Sequence, residues 1–161
     1  MDITIKMDDY YLNIRAAAII IHNNKLLVHN DANYDNYALV GGRMQIGEDS
    51  KTTIKREILE EMGKEIEILD YACTVENFFD AEGQKFHELM FTYLAEFKDE
   101  KDKKIEETIK NIEGKDDLQY DWIDLKEIDN YNLVPHVIKD VIKEKVFPVH
   151  IINDDIKWRR K

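Results

Sequence analysis

Residues 42–64 read GRMQIGEDSKTTIKREILEEMGK. Asp49 and Ser50 each suit a helix N-cap and Gly63 suits a C-terminal cap, so the stretch predicts a helix over 50–62. At about 100° per residue, with Glu57 set at zero, Glu61 falls near about +40° and Glu60 near about −60°. Three carboxylates therefore share one arc, and Ile54, Ile58 and Met62 form an apolar stripe beside it. Like charges at i, i+3 and i+4 repel, so the arc calls for a cation. Every clustered donor is oxygen, which suits Mg²⁺ or Mn²⁺ over Zn²⁺. His22, His29, His87, His136 and His150 show no zinc-like spacing to each other or to Cys73. For three glutamates alone, a solvated helix face paired with Lys or Arg remains the plainer reading.

The surrounding residues change that weighing. Gly42, Glu48, Arg56-Glu57-Ile58-Leu59-Glu60-Glu61 and Gly63 occupy the fixed positions of a pattern that resembles the signature of the Nudix hydrolases, MutT-like enzymes. The departure is Lys64, where that family carries an aliphatic residue. Tyr37-Ala-Leu-Val-Gly-Gly42 resembles the family's lead-in, with Val40 in place of proline. The hairpin ENFFDAEGQKFHELMF and the segment WIDLKEI also look like common Nudix features. The resemblance implies an α/β fold, an α/β/α sandwich with a mixed sheet between helices. It implies divalent-metal hydrolysis of a nucleoside diphosphate linked to another moiety, by attack of an activated water on phosphorus. Glu57, Glu60 and Glu61 would hold Mg²⁺ (or Mn²⁺) or activate the water, with a backbone carbonyl of Gly41-Gly42 completing the coordination. Arg56 joins this catalytic set and pairs with Glu48 as a structural fork, and Gly63 closes the motif. A nucleoside triphosphate pyrophosphatase, with oxidised nucleotides included among its substrates, is the first alternative. A Nudix module that binds a nucleotide without turnover ranks below both, because every motif glutamate is present.

Outward from the helix, residues 14–21 (IRAAAIII) predict a strand covered on both faces, and His22-Asn23-Asn24-Lys25 a turn into KLLVH. Residues 71–79 and 85–97 predict a strand pair, with Leu89, Phe91, Tyr93, Ala95 and Phe97 on one face and Met90 and Leu94 on the other. Residues 119–125 predict a further strand, and 134–145 a second helix with Pro135 near its start. The charged stretch 98–117 suits a short surface helix or a long excursion between strands. Further acids for the site are Glu88, Glu113, Asp116 and Asp117; Arg15 is a candidate phosphate contact, and Tyr34 and Tyr37 candidate stacking residues. For each of these, ordinary packing or solvation competes with function. His87 and Cys73 read as packed strand residues. Gly42 and Gly47 have P-loop spacing, but Glu48-Asp49 follow where phosphate binding needs Lys and Ser or Thr.

The 161 residues accommodate one domain, taken as 1–161. A net charge of −11 argues against nucleic acid as a partner, and the basic tail 157–161 reads as a solvated or docked terminus. Residues 65–97 hold eight acidic side chains against one lysine, a surplus that the motif does not explain. No apolar run approaches a membrane span, the acidic N-terminus lacks signal-peptide character, and a lone cysteine suits a reducing, cytoplasmic setting. A small-molecule nucleotide is thus the expected partner, with a homodimer left open.

Overall fold

The computed structural model describes residues 1–105, 107–115 and 117–155. Its elements are β1 Thr4–Met7, β2 Tyr10–His22, β3 Lys25–Asp31, β4 Tyr37–Arg43, α1 Ser50–Met62, β5 Ile66–Ala81, β6 Gln84–Phe97, β7 Ile109–Lys110, β8 Leu118–Asp124, β9 Leu133–Val134, α2 Val137–Glu144 and β10 Val149–Asp154. The main path across the sheet runs β10-β5-β6-β2-β4-β3-β8-β7. β10–β5, β2–β6 and β4–β9 pair in parallel and the remaining ladders are antiparallel, so the sheet is mixed.

β2 organises the molecule because its middle is apolar on both sides. Ala17 and Ile19 face a core layer closed by Ile138, Val141 and Ile142 of α2. Ala16, Ala18 and Ile20 face the opposite layer, closed by Ile54, Ile58 and Met62 of α1. Alternation on β6 follows the same logic, with Met90 in the first layer and Tyr93, Ala95 and Phe97 in the second. The result is the α/β/α sandwich with a mixed sheet. The β2–β3 turn places Asn23 and Asn24 at φ 47° and 62°, the conformation that a two-residue hairpin of the right twist requires.

Two differences from the sequence reading, in the second helix and in β4 and β10, have physical causes. The second helix starts at Val137 rather than 134, since Val134 precedes proline, which disfavours helical backbone, and pairs with Ala38 as part of β9. Of the two forms that the 98–117 stretch suits, its described residues take the excursion between strands, with a 3₁₀ turn at Glu100–Asp102 and the short β7. β4 and β10 were unpredicted; one is glycine-rich and the other depends on parallel pairing with a strand some 75 residues away. The tail 157–161 and Asp116 lie outside the described residues. Among the described residues, no helix is long and apolar enough to cross a membrane.

Candidate active site

The site forms where β4 ends and α1 begins. Asp49 caps α1, its side chain accepting from the Lys51 and Thr52 backbone N–H groups at 2.9 and 3.0 Å. Gly63 ends the helix in the left-handed conformation at φ 66°, and its N–H donates to the Leu59 carbonyl at 2.9 Å. Arg56 grips Glu48 with two bonds, Nε to Oε1 at 2.8 Å and Nη2 to Oε2 at 2.9 Å. Thr53 Oγ1 donates to the same carboxylate at 2.8 Å. The Arg56 guanidinium, with Thr53 and the Gln45 N–H, holds the Glu48 carboxyl down to about 2. The 44–49 loop is thereby tied to the helix.

Two glycines bring strand and helix together. Gly41 has φ 146°, and a Cβ there would lie 2.2 Å from the Ala16 carbonyl oxygen. A Cβ on Gly42 would lie 2.1 Å from Cδ of Glu57, so the absent side chain is the space that the Glu57 carboxylate fills. Burial, opposed by Arg56 and reinforced by Glu61 and Glu60, moves the Glu57 carboxyl above the usual carboxylate range.

Glu57, Glu60 and Glu61 line one cleft of about 400 Å³ with Gly41, Gly42 and Arg15. Arg56 Nη1 bridges Glu57 Oε1 at 2.8 Å and Glu60 Oε2 at 2.9 Å. Glu61 is buried; its Oε2 accepts from Tyr120 OH at 2.8 Å and its Oε1 lies 3.5 Å from Lys115 Nζ. Cations of the chain itself therefore balance the acidic arc, and among the described residues no three acidic, His or Cys side chains are drawn into a ready metal cage. The donor set nevertheless fits a hard divalent cation. It comprises three carboxylates on one wall and the Gly41 carbonyl, already polarised by Arg15 Nη2 at 3.1 Å. Glu113 also lines this cleft, paired to Lys115 at 2.9 Å. His29 of β3, which also lines the cleft, is pushed down to about 3 by burial first and by the Arg15 charge second, so it stands neutral there.

A second cavity, of about 440 Å³, adjoins the first through Arg15, which lines both. Glu88 lines this second cavity and not the glutamate cleft, so the structure does not bring it to the metal-binding arc. Asp117 lies in a turn, its carbonyl accepting from the Ala32 N–H at 2.9 Å. Tyr37 packs edge-on against Tyr131 with centroids 5.2 Å apart, and Tyr34 bonds Glu82; neither lines either cavity. His87 stacks on Phe78 at 4.3 Å, and Cys73 is buried, its thiol pushed up by burial. Lys64 resolves the departure from the motif: its ammonium bonds Asp102 at 2.7 Å and lies 5.8 Å from the centroid of the Phe97 ring, so it packs where an aliphatic residue is usual.

Tyr120, Lys115 and His29 were missed by sequence reasoning. They reach the site from β8, the charged excursion and β3, and nothing local in their sequence marks them. The QYDWIDL alternation even casts Tyr120 as a core residue, which by burial it is.

A mixed-sheet sandwich with a capped acidic helix beside a diglycine strand end is the arrangement that the sequence resemblance implies. The model of the NUDIX domain family matches residues 12–144, and the chain belongs to the Nudix hydrolase family. Its members act on small-molecule nucleotides and generally use divalent metal ions. No curated protein matches this sequence. Similar solved structures include a UDP-X diphosphatase (17% identity, 86% of this chain and 66% of that one, TM-score 0.59). An ADP-ribose pyrophosphatase from Streptococcus suis shares 11% identity over 86% of this chain and 98% of that one, TM-score 0.59. A MutT NUDIX hydrolase from Burkholderia pseudomallei shares 18% over 84% and 98%, TM-score 0.62. This chain spans slightly less than two thirds of the UDP-X diphosphatase. Identities this low carry the fold alone.

Proposed function

We propose that the chain, taken as one Nudix domain over 1–161, hydrolyses a pyrophosphate bond in a nucleoside diphosphate linked to another moiety, with Mg²⁺ or Mn²⁺. The observation that carries this reading is the convergence of Glu57, Glu60, Glu61 and the Gly41 carbonyl on one cleft, with Arg15 and Lys115 beside them. Glu57 and Glu61 are the principal metal ligands, and Glu60, with a side chain 45% exposed, is a third ligand or the base that takes the proton of the attacking water. A bound divalent ion would supply charge neutralisation on the phosphate oxygens and a more acidic water. Arg56 orients Glu57 and Glu60 while anchoring Glu48. Arg15 and Lys115 offer N–H donors to the phosphates. The water oxygen bonds to phosphorus, the bridging P–O bond breaks, and the leaving phosphate departs as an anion into the open cleft.

The test is phosphate or nucleoside-monophosphate release over a panel of dinucleotides, nucleotide sugars and nucleoside triphosphates, with and without Mg²⁺ or Mn²⁺. Replacing Glu60 and Glu61 together by Gln should abolish turnover of any substrate that the wild type cleaves. Equal turnover by the double variant would sink the assignment, and preferential cleavage of triphosphates would install the pyrophosphatase alternative.

A further inference from the structure

The charged excursion between β6 and β8 brings more than Lys115 and Glu113 to the site. Its last part is built onto Glu61. The Ile112 N–H, just past β7, donates to the Glu61 carbonyl at 2.9 Å. The last four carbonyls of a helix have no intrahelical partner, and here the excursion supplies one.

The Asn111 side chain acts on the carboxylate of the same glutamate. Its Oδ1 accepts from two backbone N–H groups, that of Glu113 at 2.9 Å and that of Lys115 at 3.3 Å. Two donors on one atom fix the amide, because turning it over would set N–H against N–H. Nδ2 therefore faces Tyr120 and donates to its hydroxyl at 3.0 Å. A phenol carries a single proton, and with Asn111 donating to the oxygen that proton goes to Glu61 Oε2, 2.8 Å away. Tyr120 and Glu61 are both buried. Were the hydroxyl turned the other way, its lone pairs would face the carboxylate with little water to intervene. The donors thus run in one direction, from the excursion backbone through Asn111 and Tyr120 to Glu61. Oε2 is taken by the tyrosine, and Oε1, with Lys115 Nζ at 3.5 Å, is the oxygen left to the cleft.

We propose that Asn111 is a positioning residue for Glu61, acting through Tyr120 by fixing the direction of its hydroxyl. The inference rests on the reading that Glu61 holds a divalent cation. Carboxylate ligands bind metal more tightly when outer partners orient them. Neither Asn111 nor Tyr120 lines the glutamate cleft, so their influence reaches it through Glu61.

The test is calorimetric titration of the full chain with Mn²⁺, without nucleotide, in a double-mutant cycle of Asn111→Ala and Tyr120→Phe. Neither substitution changes the charge. Asn111→Ala should weaken Mn²⁺ binding about fivefold in wild type and by less than about twofold in Tyr120→Phe, since the hydroxyl carries the effect. An equal loss in both backgrounds would trace the effect to the 111–115 turn and overturn the proposal, as would no loss in wild type. A second measurement needs no metal: the ¹³C resonance of Tyr120 Cζ in tyrosine-labelled protein, assigned by its absence from Tyr120→Phe. Asn111→Asp keeps an acceptor for the Glu113 and Lys115 N–H groups but gives the phenol no donor. It should move that resonance, whereas Lys64→Leu should not. An unmoved resonance in Asn111→Asp overturns the proposal even if Asn111→Ala fails to fold. Absence of Mn²⁺ binding by wild type removes the metal reading, and the resonance then decides the role of Asn111 alone.

Discussion

Replacing Glu48 by Gln isolates the fork that ties the 44–49 loop to α1. The wild-type carboxylate accepts two bonds from Arg56 and one from Thr53, and its side chain is 13% exposed. A carboxyl drawn from the ordinary 4.5 down to about 2 contributes about 3 kcal/mol of folding stability at pH 7. The folded value lies below the unfolded one. The contribution is therefore fully present above about pH 4.5 and is lost as pH falls through about 2. The same linkage leaves about 2 kcal/mol at pH 3.5 and less than about 1 kcal/mol at pH 2.5. Urea unfolding of wild type and Glu48→Gln at the three pH values measures this as a difference, which cancels the other carboxylates common to both proteins. The expected difference is about 3 kcal/mol at pH 7, shrinking as calculated on acidification. A gap that stays constant from pH 7 to pH 2.5 would refute the reasoning, since the cost would then come from packing rather than from the ion pair.

The two glycines should fail differently. Gly42→Ala displaces only the mobile end of Glu57 and should lower turnover about a hundredfold with little change in melting temperature. Gly41→Ala meets backbone at a strained φ and should cost about 3 kcal/mol or more in denaturant unfolding. Tyr120→Phe removes the buried donor to Glu61 and should cost about 1–3 kcal/mol, with a higher Mg²⁺ concentration needed for half-maximal turnover. Lys64→Leu exchanges a partly exposed ion pair for the family's usual aliphatic contact, and its unfolding free energy should stay within about 1 kcal/mol of wild type.

Much of the fold and the acidic arc could be read from local sequence. The α1 boundaries follow from Asp49 and Gly63, and its two stripes follow from helical spacing, because caps and i, i+4 neighbours act within a few residues. The Asn23-Asn24 hairpin is equally local, and the continuous apolar run of β2 foretold a strand covered on both faces. Pairings between distant segments were beyond that reach. Tyr120 and Lys115 meet Glu61 across 59 and 54 residues of chain, and only the closure of β8 and the charged excursion over α1 brings them there.

Glu88 shows where one-dimensional reading stops. Its strand, and its sharing of a face with Met90, were evident from alternation alone. Which cavity that face lines depended on the parallel register of β2 with β6 and on β10 docking beside β5. Those ladders place Glu88 in a row with Asn77 and Asn153, away from the three helix glutamates. They also give part of the acidic surplus of residues 65–97 a location, since Asp80 and Glu88 line the second cavity. By itself the sequence determined the chemistry-bearing helix and the family, because both reside in fixed short-range spacing. The tertiary structure alone decided which acids share a site, because strand register is set by packing between segments that no local pattern connects.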